Sequence, residues 1–141
     1  MDIVFLKDFI DYGILGLLIF LGFVSIFFYI ERLLYFRSVK VNEFDKKEKL
    51  QLNLTNNTSI VASIASNSVY IGLLGTVLGI LVTFYEMGNS GQIDVKIIMT
   101  SLAFALKATA LGLVVAIPSM IFYNHLVRRV EVLETQWDIE Q

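Results

Sequence analysis

The stretch "SLAFALKATALGLVVAIP", residues 101–118, decides the fold, because it is apolar along its length except for one charge, Lys107. In a helix that rises 1.5 Å per residue, about 20 residues cross the roughly 30 Å hydrocarbon core of a bilayer. A lysine at the centre of such a helix costs about 2.5–3.5 kcal/mol on insertion scales. The stretch therefore predicts a membrane helix in which Lys107 meets a specific partner or water.

The composition of the whole chain agrees with a membrane protein. Of its 141 residues, 56% are hydrophobic and 17% are charged, and the mean hydropathy is +0.70. The absence of cysteine excludes disulfides, thiol catalysis and cysteine-ligated metal clusters. The basic residues form no patch interleaved with aromatic residues, which excludes the usual nucleic-acid-binding surface. We expect an integral membrane protein with no nucleic-acid partner and no cofactor.

Three apolar segments, 12–30, 60–85 and 97–127, predict an all-α fold with three transmembrane helices. The first is a retained signal anchor rather than a cleavable signal peptide, because the charged residues before it are mostly acidic and no small-residue cleavage pattern follows it. The second has no formal charge but many Ser, Thr and Asn residues. It is too polar to face lipid and should pack against protein.

The segments between the helices predict the orientation in the membrane. The loop 31–59 contains six Lys or Arg residues and the tail 128–141 contains two, whereas the N-terminus 1–11 and the turn 86–96 contain one each. Cytoplasmic segments carry the excess of basic residues. We therefore expect the loop and a helical tail in the cytoplasm, and the N-terminus and the turn in the periplasm. The asparagine sequons in the loop are then chance matches.

The second apolar segment contains small and hydroxyl-bearing residues at helical spacing. Gly72, Gly75 and Gly79 lie near one another on the helix surface and predict close helix packing, since small residues let backbones approach in lipid. Thr76 and Thr83 are seven residues apart and share a face. Two interpretations of these threonines stay open: their hydroxyls line a polar path, or each bonds the carbonyl one turn back.

The third apolar segment has two different faces at about 100° per residue. One is a small-residue strip, which suits close packing or a narrow pore: Ala105, Thr109, Gly112 and Ala116. The other contains the charge: Thr100, Phe104, Lys107, Leu111, Val114 and Pro118. Pro118 cannot donate a hydrogen bond to the Val114 carbonyl, so we expect a kink or an acceptor left for water or a neighbour.

The apolar segments contain no acid to neutralise Lys107. Asp11, Glu31, Glu86 and Asp94 all lie near segment ends. Three possibilities stay open: a carboxylate on another subunit, a hydrated cavity, or snorkelling, although snorkelling over about 15 Å is difficult. Lys107 then either pairs statically with a partner acid and specifies assembly, or belongs to a path along which charge moves.

Two features at the end of the third segment and in the tail after it have simple interpretations. Val130, Leu133 and Trp137 recur every three to four residues, and this stripe predicts bundling between subunits, with a solvated, frayed tail as the alternative. The single histidine, His125, lies near two arginines and is expected to be solvated. Because no second metal ligand and no nucleophile with a base accompany it, we predict neither a metal site nor an enzyme.

Two of these segments together resemble a known family. "GLLGTVLGI" at residues 72–80, followed by "SLAFALKATALGLVVAIPSMIFYN" at residues 101–124, resembles the MotA/TolQ/ExbB proton channel family, and within it the ExbB proteins. Both motifs occur in the family's order and spacing. The resemblance covers roughly residues 60–130, while the first apolar segment and the basic loop agree in hydropathy and orientation only.

The resemblance implies an inner-membrane subunit with the second and third helices extending into the cytoplasm. It implies a homopentamer of three-helix protomers around two helices from an ExbD or TolR partner, which uses the proton-motive force to energise TonB or TolA. Thr76 and Thr109 match family threonines associated with the proton path, and the partner's transmembrane Asp would carry the proton. A TonB or Tol client, protons or sodium ions, and a passive membrane scaffold all stay open.

One position departs from the family pattern. ExbB and TolQ relatives usually have a glutamate two residues before the leucine of "ALKAT", where this chain has Phe104. A phenyl ring has no titratable group, so direct proton transfer by that glutamate does not carry over. Lys107 lies one turn further along on nearly the same face. We hypothesise that Lys107 replaces the acid in tuning the pore by pairing with a partner Asp.

Overall fold

The computed structural model describes residues 3–141, with side chains from residue 5, and every regular element in this range is helical. The elements are α1 (Ile3–Ser38), a 3-10 turn (Val41–Glu43), α2 (Lys47–Leu54), α3 (Thr58–Ser90) and α4 (Val95–Glu140). Residues 1 and 2 of the predicted N-terminal segment 1–11 lie outside the described range. The all-α prediction is confirmed.

Helices α1, α3 and α4 are each long and apolar enough to cross a membrane. They pack against one another, with the most extensive contact between α3 and α4. Large apolar side chains stay exposed along all three helices, among them Phe23, Leu81 and Ile117. This surface fits an environment of lipid and neighbouring helices. It agrees with the prediction of a multi-pass membrane protein.

The two helices that were expected to extend beyond the membrane differ. The 46 residues of α4 would extend about 70 Å, more than twice the thickness of the hydrocarbon core. Helix α4 continues through the predicted tail to Glu140, whereas α3 begins at Thr58, close to the start of its apolar segment. The long extension past the apolar region therefore belongs to α4.

The turn between α3 and α4 is shorter than the predicted segment 86–96. Helix α3 continues to Ser90 and ends because Gly91 adopts a left-handed conformation, with φ of 69°. The Gly91 amide donates to the Met87 carbonyl at 3.1 Å. Helix α4 then begins after Asp94, whose carboxylate accepts the Lys96 amide at 2.9 Å. The irregular part consists of residues 91–94 only.

The prediction of a loop over residues 31–59 is also wrong in part, because much of this segment is helical. Helix α1 continues to Ser38, and α2 occupies residues 47–54. Leu50 and Leu54 of α2 are fully buried against Val61 and Leu126. Burying two leucines removes enough apolar surface from water, at about 25 cal/mol per Å², to hold a short helix in place.

The stripe of apolar residues in the tail packs inside its own chain. Val130 and Leu133 are buried in the same cluster as α2. The Trp137 indole donates to the Phe44 carbonyl at 3.0 Å. The prediction that this stripe bundles subunits is therefore wrong, because the segment 41–54 folds back and covers it.

Arg32, in the last two turns of α1, is buried rather than solvated. Arg32 is only 4% exposed, and its guanidinium donates to both carboxylate oxygens of Glu31 at 2.6 Å. It also donates to the Asn53 carbonyl at 2.7 Å and lies 4.4 Å above the centre of the Tyr35 ring. Arg32 thus joins α1 to the end of α2.

We expect the Arg32→Met substitution to destabilise the attachment of α2. The change keeps an apolar stem but leaves the Asn53 carbonyl without its donor, which costs about 1–3 kcal/mol. Amides of α2 should exchange with solvent faster and the protein should unfold at a lower temperature. The matched control is Arg37→Met, because Arg37 is exposed. Equal exchange rates in the two variants would show that Arg32 does not hold α2 against α1.

Candidate functional site

The backbones of α3 and α4 touch at two glycines. A Cβ atom on Gly72 would lie 2.6 Å from the Ala108 carbonyl oxygen and 3.2 Å from the Gly112 Cα. A Cβ atom on Gly112 would lie 2.6 Å from the Ser68 carbonyl oxygen. Carbon atoms do not approach backbone atoms this closely, so only glycine fits at either position. This crossing fixes the relative positions of all side chains next to it.

The close contact continues toward the C-terminal end of α3. A Cβ atom on Gly75 would lie 2.7 Å from the Ala108 Cβ and 3.0 Å from Ile14 of α1. A Cβ atom on Gly79 would lie 3.0 Å from the Ala105 Cβ. The three predicted packing glycines of α3 therefore lie along one line of contact with α4, and Gly75 also brings α1 close.

The remaining residues predicted for helix packing on α4 lie in two different places. Ala116 is buried. Pro118 is exposed and borders an apolar groove between α1 and α4, and α4 continues through it without a break. Next to it, Ser119 and Ser25 share a buried hydrogen bond of 2.7 Å that joins α4 to α1.

The glycine crossing brings Thr76 of α3 and Thr109 of α4 together. Their hydroxyl groups hydrogen bond to each other. Thr76 Oγ1 also reaches the Ala105 carbonyl at 2.9 Å, and Thr109 Oγ1 reaches the Gly72 carbonyl at 3.4 Å. Thr76 is buried and Thr109 is half-buried. The two threonines thus form a hydroxyl pair between the helices.

The hydroxyl pair has two ways to arrange its protons, because each hydroxyl carries a single hydrogen. In one arrangement Thr109 donates to Thr76, which donates to the Ala105 carbonyl. In the other, Thr76 donates to Thr109, which donates to the Gly72 carbonyl. The two arrangements run in opposite directions along the same atoms. The pair can therefore reverse the direction of its hydrogen bonds, while the backbone carbonyl at each end only accepts.

Thr83 lies further along α3 and does not join this pair. Its hydroxyl donates to the Gly79 carbonyl one turn back at 2.9 Å, and the side chain is only 2% exposed. This is the local bond that the sequence left open as an alternative for both threonines. Thr76 makes the equivalent bond to Gly72 only at 3.4 Å, because its nearer acceptor is on α4.

Lys107 lies on a different face of α4 from Thr109. Its side chain is exposed, and its ammonium group lies 4.9 Å from the centre of the Phe104 ring, within the range of a cation–π contact. Among the side chains from residue 5 onward, no carboxylate forms an ion pair with Lys107. The Lys107 side chain therefore points away from the three-helix protomer.

A cavity of about 330 Å³ lies where the N-terminal ends of α1 and α4 meet the C-terminal end of α3. Most of its lining residues are polar or charged, and we call it the polar cavity. Lys7 donates to Ser101 at 3.3 Å, and the Tyr12 and Phe104 rings meet edge to face at 6.5 Å, so both contacts join α1 to α4. Asp11 also borders the cavity. The sequence placed Asp11 among the acids before the first apolar segment and gave no role to it. Only the packing of α1 reveals this position.

His125 is exposed, and its Nδ1 atom is 2.9 Å from the Tyr29 hydroxyl. Over residues 3–141, no three acidic or histidine side chains lie close enough together to hold a metal ion.

The chain is similar in sequence to several known proteins. Biopolymer transport protein ExbB of Aquifex aeolicus is 54% identical over 133 residues, 94% of this chain and 90% of that protein. An ExbB-like biopolymer transport protein of Helicobacter pylori is 52% identical over 134 residues, 95% of this chain and 89% of that protein. The Tol-Pal system protein TolQ of Haemophilus influenzae is 40% identical over 85 residues, 60% of this chain and 37% of that protein.

The family model covers the segment that contains the glycine crossing and the hydroxyl pair. The model of the MotA/TolQ/ExbB proton channel family matches residues 41–139. This range includes α2, α3 and nearly all of α4. With three apolar helices, the paired motifs and this match, the chain belongs to the MotA/TolQ/ExbB proton channel family.

Proposed function

We propose that this protein is an ExbB-like subunit of a proton-driven motor in the bacterial inner membrane. With an ExbD-like single-span partner, it couples the proton-motive force to TonB-dependent transport at the outer membrane. The observation that carries the proposal is the hydroxyl pair of Thr76 and Thr109, which lies between two membrane helices and has two proton arrangements. The similarity to proteins named biopolymer transport protein ExbB supports the same activity.

The working assembly in this proposal is a homopentamer around two partner helices. The number five comes from the family resemblance. The exposed apolar side chains of α1, α3 and α4 give the protomer a surface against which neighbouring helices can pack. Lipid covers the rest of that surface. A TonB-like protein binds the complex as its client.

The proposed orientation places the residue segments 31–59 and 128–141 in the cytoplasm and the segments 1–11 and 86–96 in the periplasm. The basic residues of the first two segments support it. The apolar helices then extend over about 12–30, 60–85 and 97–127 within the membrane. In this orientation the polar cavity opens to the periplasm, the side from which protons enter under the proton-motive force.

The proton path in this proposal includes Thr76 and Thr109. Thr83 belongs to it seven residues further along α3, and Lys107 lies at the edge of the path. Lys107 is exposed beside Phe104 and pairs with a carboxylate on the partner's helix, since an unpaired charge there is costly. Such a pair holds the partner acid in its charged form until a proton displaces it.

The experiment that tests the function measures proton flux into liposomes under an imposed potential. The protein is reconstituted with and without its single-span partner. A motor subunit conducts only with the partner and only when the potential is present. An intact complex that conducts no protons in either preparation would contradict the proposal and favour a passive scaffold.

We expect the Lys107→Met substitution to reduce partner-dependent flux by about tenfold, the equivalent of about 1.4 kcal/mol. The change removes the charge that the partner's carboxylate faces. The matched control is Lys96→Met, because Lys96 is exposed at the start of α4. Flux is measured in the same liposomes, and assembly is measured by coelution with the partner. Unchanged flux and assembly would contradict a role for Lys107.

A second candidate is a TolQ-like subunit of the Tol envelope system, which the match to Haemophilus influenzae TolQ favours. The chemistry within the membrane is the same, and the two candidates differ in the client. Deleting the gene and scoring TonB-dependent nutrient uptake against sensitivity to detergent separates them. Lost uptake with an intact envelope supports the ExbB-like function.

A further inference from the structure

We propose, on the basis of the proposed function, that Asp11 is the side chain through which protons enter the hydroxyl pair from the polar cavity. Asp11 belongs to α1, outside both sequence motifs. Its carboxylate is half-buried among the three helices rather than on the open surface. The inference rests on where the packing of α1 places this carboxylate relative to α3 and α4.

The first observation is the position of Asp11 against α3. Asp11 Oδ1 lies 3.9 Å from the site that a Cβ atom on Gly79 would occupy. Gly79 is three residues from Thr76 along α3, a rise of about 4.5 Å. Because glycine has no side chain, α3 itself places no atoms between the carboxylate and the next turn, where the hydroxyl pair begins, and the nearest atom at position 79 is the Ala105 methyl group of α4.

The second observation is that Ala105 of α4 contacts both the Gly79 position, next to Asp11, and Thr76 of the hydroxyl pair. Ala105 is in contact with the Gly79 position, and its carbonyl accepts the Thr76 hydroxyl at 2.9 Å. Asp11 therefore lies about one helical turn from the hydroxyl pair, on the side of the cavity. The contacts from Lys7 to Ser101 and from Tyr12 to Phe104 hold α1 in this position.

The charged groups around the cavity support a titrating role for Asp11. Lys7 and Asp8 come from α1 and Glu86 from α3, while α4 contributes Ser101 and other uncharged residues. Among the side chains from residue 5 onward, none donates a hydrogen bond to Asp11, so its oxygens are free to take a proton.

The step moves one proton in total. A hydronium ion in the cavity protonates the carboxylate and becomes water. The neutral acid then gives a proton to Thr76, Thr76 passes its own hydrogen to Thr109, and Thr109 passes its own to the partner's carboxylate, so that Asp11 and both hydroxyls return to their starting forms.

The chain offers a second position for an acid in the same cavity. Phe104 borders it from α4 and touches Tyr12, the neighbour of Asp11. A glutamate at position 104 would therefore place a carboxylate at about the same level from the opposite helix. If Asp11 has only a structural role, a glutamate at position 104 should not restore flux to an Asp11 variant.

The test measures partner-dependent proton flux in liposomes for Asp11→Asn, Asp11→Glu and the double variant Asp11→Asn with Phe104→Glu. We expect the asparagine variant to lose about tenfold in flux, because a group that relays protons typically contributes at least that much. The glutamate variant should keep at least half of the natural flux, and the double variant should regain part of what the asparagine variant loses. Asp45→Asn, an exposed position far along the chain, is the matched control.

Three results would overturn the inference. They are an Asp11→Asn complex that keeps more than half of the natural flux, a complex that no longer assembles, and a failure of glutamate at both position 11 and position 104 to support flux. If the natural sequence itself does not conduct with its partner, the proposed function fails instead. The two failures are therefore distinguishable in one set of preparations.

Discussion

The Gly112→Val substitution is expected to lower the free energy of unfolding by about 3 kcal/mol, because the added side chain collides with backbone atoms. Its Cβ atom would lie 2.6 Å from the Ser68 carbonyl oxygen and 3.2 Å from the Gly72 Cα. No side-chain rotation relieves a contact with backbone, so α3 and α4 must separate. Separation also pulls apart the hydroxyl pair, and partner-dependent flux should disappear with the loss of stability.

The measurement is thermal unfolding of the purified complex, together with the fraction of protein that coelutes with its partner. The control is Gly88→Val on α3, because a Cβ atom there has no neighbour within 4 Å. We expect the control to change the stability by no more than about 0.5 kcal/mol. Equal unfolding temperatures for the two variants would show that the helices do not depend on the close approach at Gly112.

The α3–α4 interface was the part of the fold most open to prediction. Glycines and alanines at helical spacing in apolar segments have few uses other than close packing, so Gly72, Gly75 and Gly112 were recognised from the pattern. The sequence also predicted that Lys107 and Thr109 lie on different faces of α4, because this follows from the rotation of about 100° per residue in a helix. The sequence did not reveal that the Thr76 and Thr109 hydroxyls bond each other rather than their own helices, because this depends on distances between two helices.

The segment between α1 and α3 was predicted poorly for a physical reason. Helix α2 has eight residues, and a helix this short is marginal in water unless it packs against other elements. Its composition is polar apart from Leu50, Leu52 and Leu54, so it resembled a solvated loop. The spacing of Leu50 and Leu54, with the apolar stripe at Val130 and Leu133, was the available signal for packing within the chain.

Charged residues show the same limit of sequence reasoning. Arg32 was counted as one of six basic residues that orient the loop, although its guanidinium is buried and joins two helices. Asp11 was grouped with the acids before the first apolar segment, although it faces Gly79 across the helix interface. A count of charges predicts which side of the membrane a segment occupies. It does not predict which charge packs inside.

Replacing either hydroxyl of the pair is expected to reduce partner-dependent flux by about ten- to a hundredfold, since losing one hydrogen bond to a charged species costs about 1.5–3 kcal/mol. Valine has nearly the shape of threonine, so Thr76→Val and Thr109→Val should leave the helix crossing in place. Each variant removes the side-chain hydrogen bond to a carbonyl, at Ala105 or at Gly72, while the helical backbone bonds stay. Both proton arrangements need two hydroxyls, so one substitution is enough to break the chain.

The double variant distinguishes a shared path from two separate contributions. If the hydroxyls act as one unit, Thr76→Val with Thr109→Val should conduct about as poorly as either single variant, because the second change removes nothing that still works. Independent roles would multiply the two losses. Thr135→Val is the control, since Thr135 is exposed on the tail and bonds its own helix at 2.9 Å. Natural flux in either single variant, with assembly intact, would remove the hydroxyl pair from the proton path.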